Sequence, residues 1–127
     1  MPAQPSDSKR IFQTLRGMLK DYQPPLMAKM NDARRFDVWS KKDVVIEGRA
    51  RSEVFFAAVI IQKSYVGFYY MPVYTNPEMK KIFAPELLAL LKGKSCFHVK
   101  TLDAKLETQI RRALAAGFRL YKKRGWV

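Results

Sequence analysis

The longest apolar run of the chain, VFFAAVIIQKSYVGFYYMPVY over residues 54–74, is broken midway by Gln62, Lys63 and Ser64. Its β-branched and aromatic residues favour strand over helix. The polar break predicts a turn, so the run is expected to form two antiparallel strands at the centre of a sheet. The same break keeps it from being a membrane span. Upstream, Ile11, Phe12, Leu15, Met18, Leu19 and Tyr22 recur at helical spacing behind Asp7 or Ser8, residue types that cap a helix N-terminus. Pro24 and Pro25 stop that helix and start a further short turn of helix carrying Leu26, Met27 and Met30. From Arg35 the period falls to two: Phe36 and Val38 alternate with Asp37 and Trp39, and a second short run, Val44 to Glu47, follows. These two runs read as a hairpin leading into the central pair, a four-stranded meander.

Downstream, Pro72 ends the fourth strand. Asn76, Pro77 and Glu78 supply the cap, the first-turn proline and the acid of a helix start. Pro85 and Glu86 restart a helix with Leu87, Leu88 and Leu91 facing inward and Gly93 as its C-terminal cap. Residues 94–100 alternate again, Phe97 and Val99 on one face and Cys96 and His98 on the other, which predicts a fifth strand. The last helix, from Asp103 to about Lys123, has the clearest pattern. Leu102, Leu106, Ile110, Leu114, Gly117, Phe118 and Tyr121 form one apolar stripe, and Lys105, Arg111, Arg112, Arg119, Lys122 and Lys123 gather on the opposite side. The predicted fold class is α+β, an antiparallel sheet of about five strands flanked by N- and C-terminal helices.

At 127 residues the chain is long enough for one domain with its own core. That domain is expected over residues 8–127, behind a Pro-, Ser- and Gln-rich stretch at 1–7 expected to be disordered. The 24 Lys+Arg against 11 Asp+Glu give a formal net charge of +13, a field that attracts nucleic acid, an acidic protein or another anionic partner. One cysteine, Cys96, excludes an internal disulfide and suits a reducing compartment. With no secretory signal in the first residues and no membrane span, the expected location is cytoplasmic.

Three sets of residues carry candidate chemistry. The basic face of the last helix, Lys105, Arg111, Arg112, Arg119, Lys122 and Lys123, together with Arg49 and Arg51 in a turn, suits an anionic partner through charge rather than sequence reading. The aromatics Trp39, Tyr65, Tyr69, Tyr70 and Tyr74, with Met71, Cys96 and His98, suit a ligand cleft on the sheet. Alternation places Tyr65, Gly67, Tyr69 and Met71 on one face and Val66, Phe68 and Tyr70 on the other. Both faces are apolar, so helices or a second subunit in a homodimer must cover them. Cys96 and His98 share a strand face, but two ligands do not make a metal site and the chain has no other Cys or His. A phosphate loop, a Gly-x-Ser-x-Gly elbow and an HExxH motif are all missing, so the chain reads as a non-enzymatic binding module without a cofactor.

The runs FDVW, EGRARSEVFFAAVIIQKSYVGFYY and LLKGKSCFHVK, followed by a closing amphipathic helix, resemble the YdhG-like domains, small bacterial proteins grouped mostly as a domain of unknown function. The resemblance covers roughly Ile11 to Tyr121 and implies an α+β fold with helices packed on an antiparallel sheet. Some members are described as frataxin-like iron chaperones, so the resemblance also implies iron handling inside the cell. Iron delivery of that kind uses clustered carboxylates as hard oxygen ligands. Here the densest group of acids, Asp32, Asp37, Asp43, Glu47 and Glu53, is interleaved with basic residues.

Overall fold

The computed structural model describes residues 5–127, with side chains from residue 7. The long apolar run folds into two antiparallel strands, β4 (Val54–Ile61) and β5 (Val66–Tyr70), in register from Ala57 opposite Tyr70 to Ile61 opposite Val66. Three further strands extend the pair: β1 (Arg35–Ser40), β6 (Leu91–Lys92) and β7 (Cys96–Val99). The sheet has five strands in the order β1-β4-β5-β7-β6, every neighbouring pair antiparallel. Together with a helix at each end of the chain, α1 (Pro5–Lys20) and α4 (Ala104–Lys123), this is the α+β architecture that the periodicity predicts.

Several local expectations are corrected. The second strand of the expected meander does not pair with the first. β2 (Val44–Ile46) and β3 (Arg49–Arg51) form their own two-stranded hairpin, while β1 pairs directly with β4. The reason lies in burial. β1 carries Phe36 and Val38 into the core, whereas the hairpin is mostly exposed and cannot supply a layer of it. The hairpin turns at Glu47 and Gly48, both at positive φ (52° and 77°), as a two-residue turn of this hand requires.

Met71 and Pro72 do not continue β5. They open a short helix, α2 (Met71–Thr75), where the fixed φ of proline suits the first turn. A 3-10 helix spans Pro77–Ile82, and α3 is a single turn, Pro85–Leu88. Gly93 does not cap that helix. It sits at φ +75° between β6 and β7, and Leu88 points outward while Leu87 is buried. No helix follows Pro24–Pro25. Residues 27–31 run extended beside β1, with Met27 and Trp39 exchanging both backbone hydrogen bonds at 2.8 Å. α1 begins at Pro5, so residues 5–7 of the segment expected to be disordered are helical, and residues 1–4 lie outside the described residues.

Alternation divides the sheet into two faces. Phe36, Val38, Val59, Val66, Phe68, Tyr70, Phe97 and Val99 point to one side and are buried. α1 and α4 pack there through Ile11, Phe12, Leu15, Leu19, Leu106, Ile110, Leu114 and Tyr121. A shift in register between Val38 and Trp39 leaves Phe56 as the extra residue of β4. Phe56 turns into the core and meets Tyr22, Tyr70, Phe118 and Tyr121 with ring centroids 5.2–6.2 Å apart. Two buried phenols tie α4 to the sheet: Tyr70 donates to the carbonyl of Ala113, and Tyr121 donates to that of Phe55 at 2.7 Å. Burial pushes both phenols far above the ordinary tyrosine range, so both stay protonated donors.

The close approach of α4 to the sheet depends on Gly117, where an added Cβ would fall on the Tyr70 hydroxyl and lie 2.8 Å from Pro72 Cγ. Gly17 in α1 is exposed with open space around it. The two helical glycines therefore respond in opposite directions to one substitution. Gly17→Ala is expected to stabilise the fold by roughly 0.5–1 kcal/mol through helix propensity. Gly117→Ala is expected to destabilise it by about 1–3 kcal/mol through overpacking. Urea denaturation of the two variants checks both signs.

Candidate functional site

The second face of the sheet has neither long helix on it. Reading across the strands, Trp39 stands opposite Phe55; Asp37, Ala58, Tyr69 and Cys96 form the next row; Arg35, Ile60, Gly67 and His98 form the third. Trp39, Phe55, Ile60, Tyr69, Cys96 and His98 are half-buried, unlike their fully buried counterparts on the covered face. Tyr69 lies back over Gly67, where a Cβ would come within 2.8 Å of the phenol ring. The glycine thus lets an aromatic lie flat on the sheet, rather than a helix approach it. Tyr65 stacks on His98 with ring centroids 3.8 Å apart and an interplanar angle of 11°.

At the β1 end this face deepens into a cleft of about 520 Å³ under the β2–β3 hairpin, within the size range of small-molecule sites. Trp39, Phe55 and Met71 line it, Ile46 and Tyr74 wall it, and Arg35, Arg51, Glu47 and Glu53 supply charge. The rings of Trp39 and Phe55 lie 5.0 Å apart, tilted at 55°. Glu53 is held by Lys29 at 2.5 Å and by Lys41 at 2.9 Å, and these hydrogen bonds lower its pKa below the usual glutamate value. The Lys29 ammonium also sits 4.4 Å from the Trp39 ring centroid. Asp37 is buried and accepts the backbone N–H groups of Lys29 and Met30 at 2.8 and 2.9 Å, which fixes the 27–31 segment against β1. Two charged groups of the cleft, Arg51 and Glu47, form no ion pair among the described residues. The Trp39 indole N–H is buried beneath the cleft surface without a hydrogen-bond acceptor.

The structure brings together part of the expected ligand set. Trp39 and Met71 line the cleft, while Tyr65, Tyr69, Cys96 and His98 occupy the same face further along the sheet. Tyr70, also expected to face a ligand, is fully buried in the core. Phe55 is a lining residue that the spacing of aromatics does not single out. Its signal is the doublet Phe55–Phe56, whose members must point to opposite faces of a strand. The imidazole of His98 is engaged with Tyr65, and burial raises the Cys96 thiol pKa above its ordinary value, which suits a packed thiol better than a nucleophile. Among the described residues no three of His, Cys, Asp and Glu stand together so as to hold a metal ion.

The basic residues are divided between sites. Arg51 lies in the cleft and Arg49 is exposed at the start of β3, whereas Arg112 and Arg119 line a groove against Ile82, Phe83 and Ala84. Lys105 is 3.5 Å from Glu86, Arg111 is 3.7 Å from Asp21, Lys122 sits over the Phe118 ring, and Lys123 is exposed. Among the described residues no helix is long and apolar enough to cross a membrane. No protein-family model, curated protein or solved structure matches the chain.

The pKa of His98 is lowered from 6.5 by burial first, then by Lys92 and Lys100. A lowered histidine pKa contributes stability that is present above the unfolded value and lost as pH falls below it. Stability measured by urea denaturation is therefore expected to drop as pH falls through and below the unfolded histidine value of 6.5. In His98→Gln that drop disappears, because the chain has no other histidine.

Proposed function

We propose that the protein is a non-enzymatic binding module whose ligand site is the aromatic cleft under the β2–β3 hairpin, and that the ligand is a small, flat organic anion. The observation that carries this reading is the cleft's pairing of a half-buried aromatic floor, Trp39 and Phe55, with an Arg51 guanidinium that forms no ion pair among the described residues. A ring lying on Trp39 and Phe55 removes apolar surface from water at about 25 cal/mol per Å². A carboxylate or phosphate group meets Arg51 in the forked geometry that guanidinium favours.

A wider anionic partner on the basic helix face is the second reading, supported by the net charge of +13 and by the exposure of Arg112, Arg119 and Lys123. It is weaker because Lys105 and Arg111 already have carboxylate neighbours, and Arg49 and Arg51 belong to the hairpin. The resemblance to the YdhG-like domains stays with the first reading as its family. FDVW lies within β1 and LLKGKSCFHVK spans β6 and β7, in keeping with the antiparallel sheet that the resemblance implies. The iron-chaperone role has less support, since Asp37 and Glu53 are engaged in holding backbone N–H groups and lysines.

The test uses Trp126→Phe, which leaves Trp39 as the sole tryptophan. Small aromatic carboxylates and phosphates, screened for a rise in melting temperature, are expected to include compounds that also quench Trp39 fluorescence. Arg51→Gln is expected to weaken those compounds by about tenfold or more, the scale of a hydrogen bond to a charged group. Quenching that survives Arg51→Gln unchanged, or a screen in which no anion affects Trp39, overturns the reading.

A further inference from the structure

At the opposite edge of the sheet a second cleft, of about 380 Å³, lies between α3, β6, β7 and the start of α4. Its polar lining is Glu86, Lys92, His98, Lys100, Thr101, Asp103 and Lys105. Both carboxylates already have donors. Glu86 accepts from Gln109 Nε2 at 2.7 Å with Lys105 at 3.5 Å, and Asp103 accepts the Leu106 N–H at 2.8 Å. Lys92 and Lys100 form no ion pair among the described residues, and Thr101 is exposed on the cleft wall. The cleft is therefore left with two unanswered ammonium groups, an exposed threonine and an imidazole whose ring is fixed by its stack on Tyr65.

We infer that this cleft binds a phosphate group, with Lys92 and Lys100 as its counter-charges, Thr101 as a hydroxyl donor and His98 at its side. A phosphate carries between one and two negative charges near neutral pH and several acceptor oxygens, which match two cations and two further donors better than a carboxylate does. Lysine serves here as a point charge that adapts to the anion, so the site fixes the presence of phosphate more than its orientation. The field of the two lysines already reaches the imidazole, since both contribute to lowering the His98 pKa after burial. An anion seated between them reverses that contribution. The ligand is either free phosphate or the phosphate of a larger molecule whose flat part extends along the Tyr65–His98 stack. The site is separate from the cleft under Trp39, and either can fail without the other.

The single histidine gives one imidazole signal, so proton NMR of the full chain reads this cleft alone. His98 is titrated with pH in chloride, then with added inorganic phosphate at matched ionic strength, then with adenosine monophosphate. Phosphate is expected to raise the His98 pKa saturably. In the double variant Lys92→Gln/Lys100→Gln the starting pKa is already higher, and the response to phosphate is lost. Both lysines are exposed, and an unchanged melting temperature establishes that the variant is folded. Tighter binding of the nucleotide than of phosphate by about tenfold, reduced by Tyr65→Leu, identifies a phosphorylated molecule with a flat group as the ligand class. Equal binding of the two identifies free phosphate. A phosphate response no larger than that of chloride, or one retained in the double variant, overturns the inference.

Discussion

Both long helices of this chain pack on the same face of a sheet that is apolar on two faces, and the consequences of that choice run through the whole molecule. The covered face collects the large aromatics Phe56, Phe68, Tyr70 and Phe97, and α1 and α4 close over them, α4 bringing Tyr121. α4 is seated by two phenol hydroxyls that reach carbonyls across the core, and its approach requires the missing side chain at Gly117. The other face must then manage Trp39, Phe55, Ile60 and Tyr69 without a helical layer. It does so with local devices: Tyr69 lies on Gly67, Tyr65 lies on His98, Lys29 covers Trp39, and the β2–β3 hairpin overhangs one end. Where these devices stop, at Phe55 and Arg51, the cleft begins.

The charge of the protein gains meaning only once it is placed on this frame. A net charge of +13 describes the whole chain, yet its cations do several different things. Lys29 and Lys41 fix Glu53, and Lys105 and Arg111 face carboxylates. Arg51, Lys92 and Lys100 form no ion pair among the described residues and line concave surfaces. These three side chains are exposed like those of the helix, but a concave surface lets several groups reach one ligand where a convex helix face does not. This is the physical ground for preferring the clefts to the helix as binding sites.

Much of this organisation could be read from the chain alone. The apolar run at 54–74 marks the central strands because its break falls at the turn between β4 and β5, and the stripe from Leu102 to Tyr121 marks the buried side of α4. Pairing was less legible. β1 joins β4 across the intervening hairpin, a non-local choice fixed by which side chains the core can accept rather than by proximity in sequence. Met71 ends a run of strand-like residues, but Pro72 behind it draws the chain into α2, so Met71 reaches the cleft from a helix. The cleft itself combines β1, the hairpin, β4 and α2, and no spacing along the chain signals such a combination. For the same reason the sequence alone groups Arg49 and Arg51 with the basic helix, since it does not say on which side of a sheet a turn will lie.

The uncovered face and the basic helix are told apart most directly by amide and indole chemical shifts of the labelled protein, recorded with a small aromatic carboxylate and separately with a single-stranded oligonucleotide. If the cleft is the ligand site, the aromatic acid moves the Trp39 indole N–H and the amides of Phe55, Met71 and Tyr74, and leaves α4 unchanged. If instead the acid moves nothing near Trp39 while the oligonucleotide shifts a continuous band from Arg111 to Lys123, the aromatic face is only packing and the helix is the functional surface.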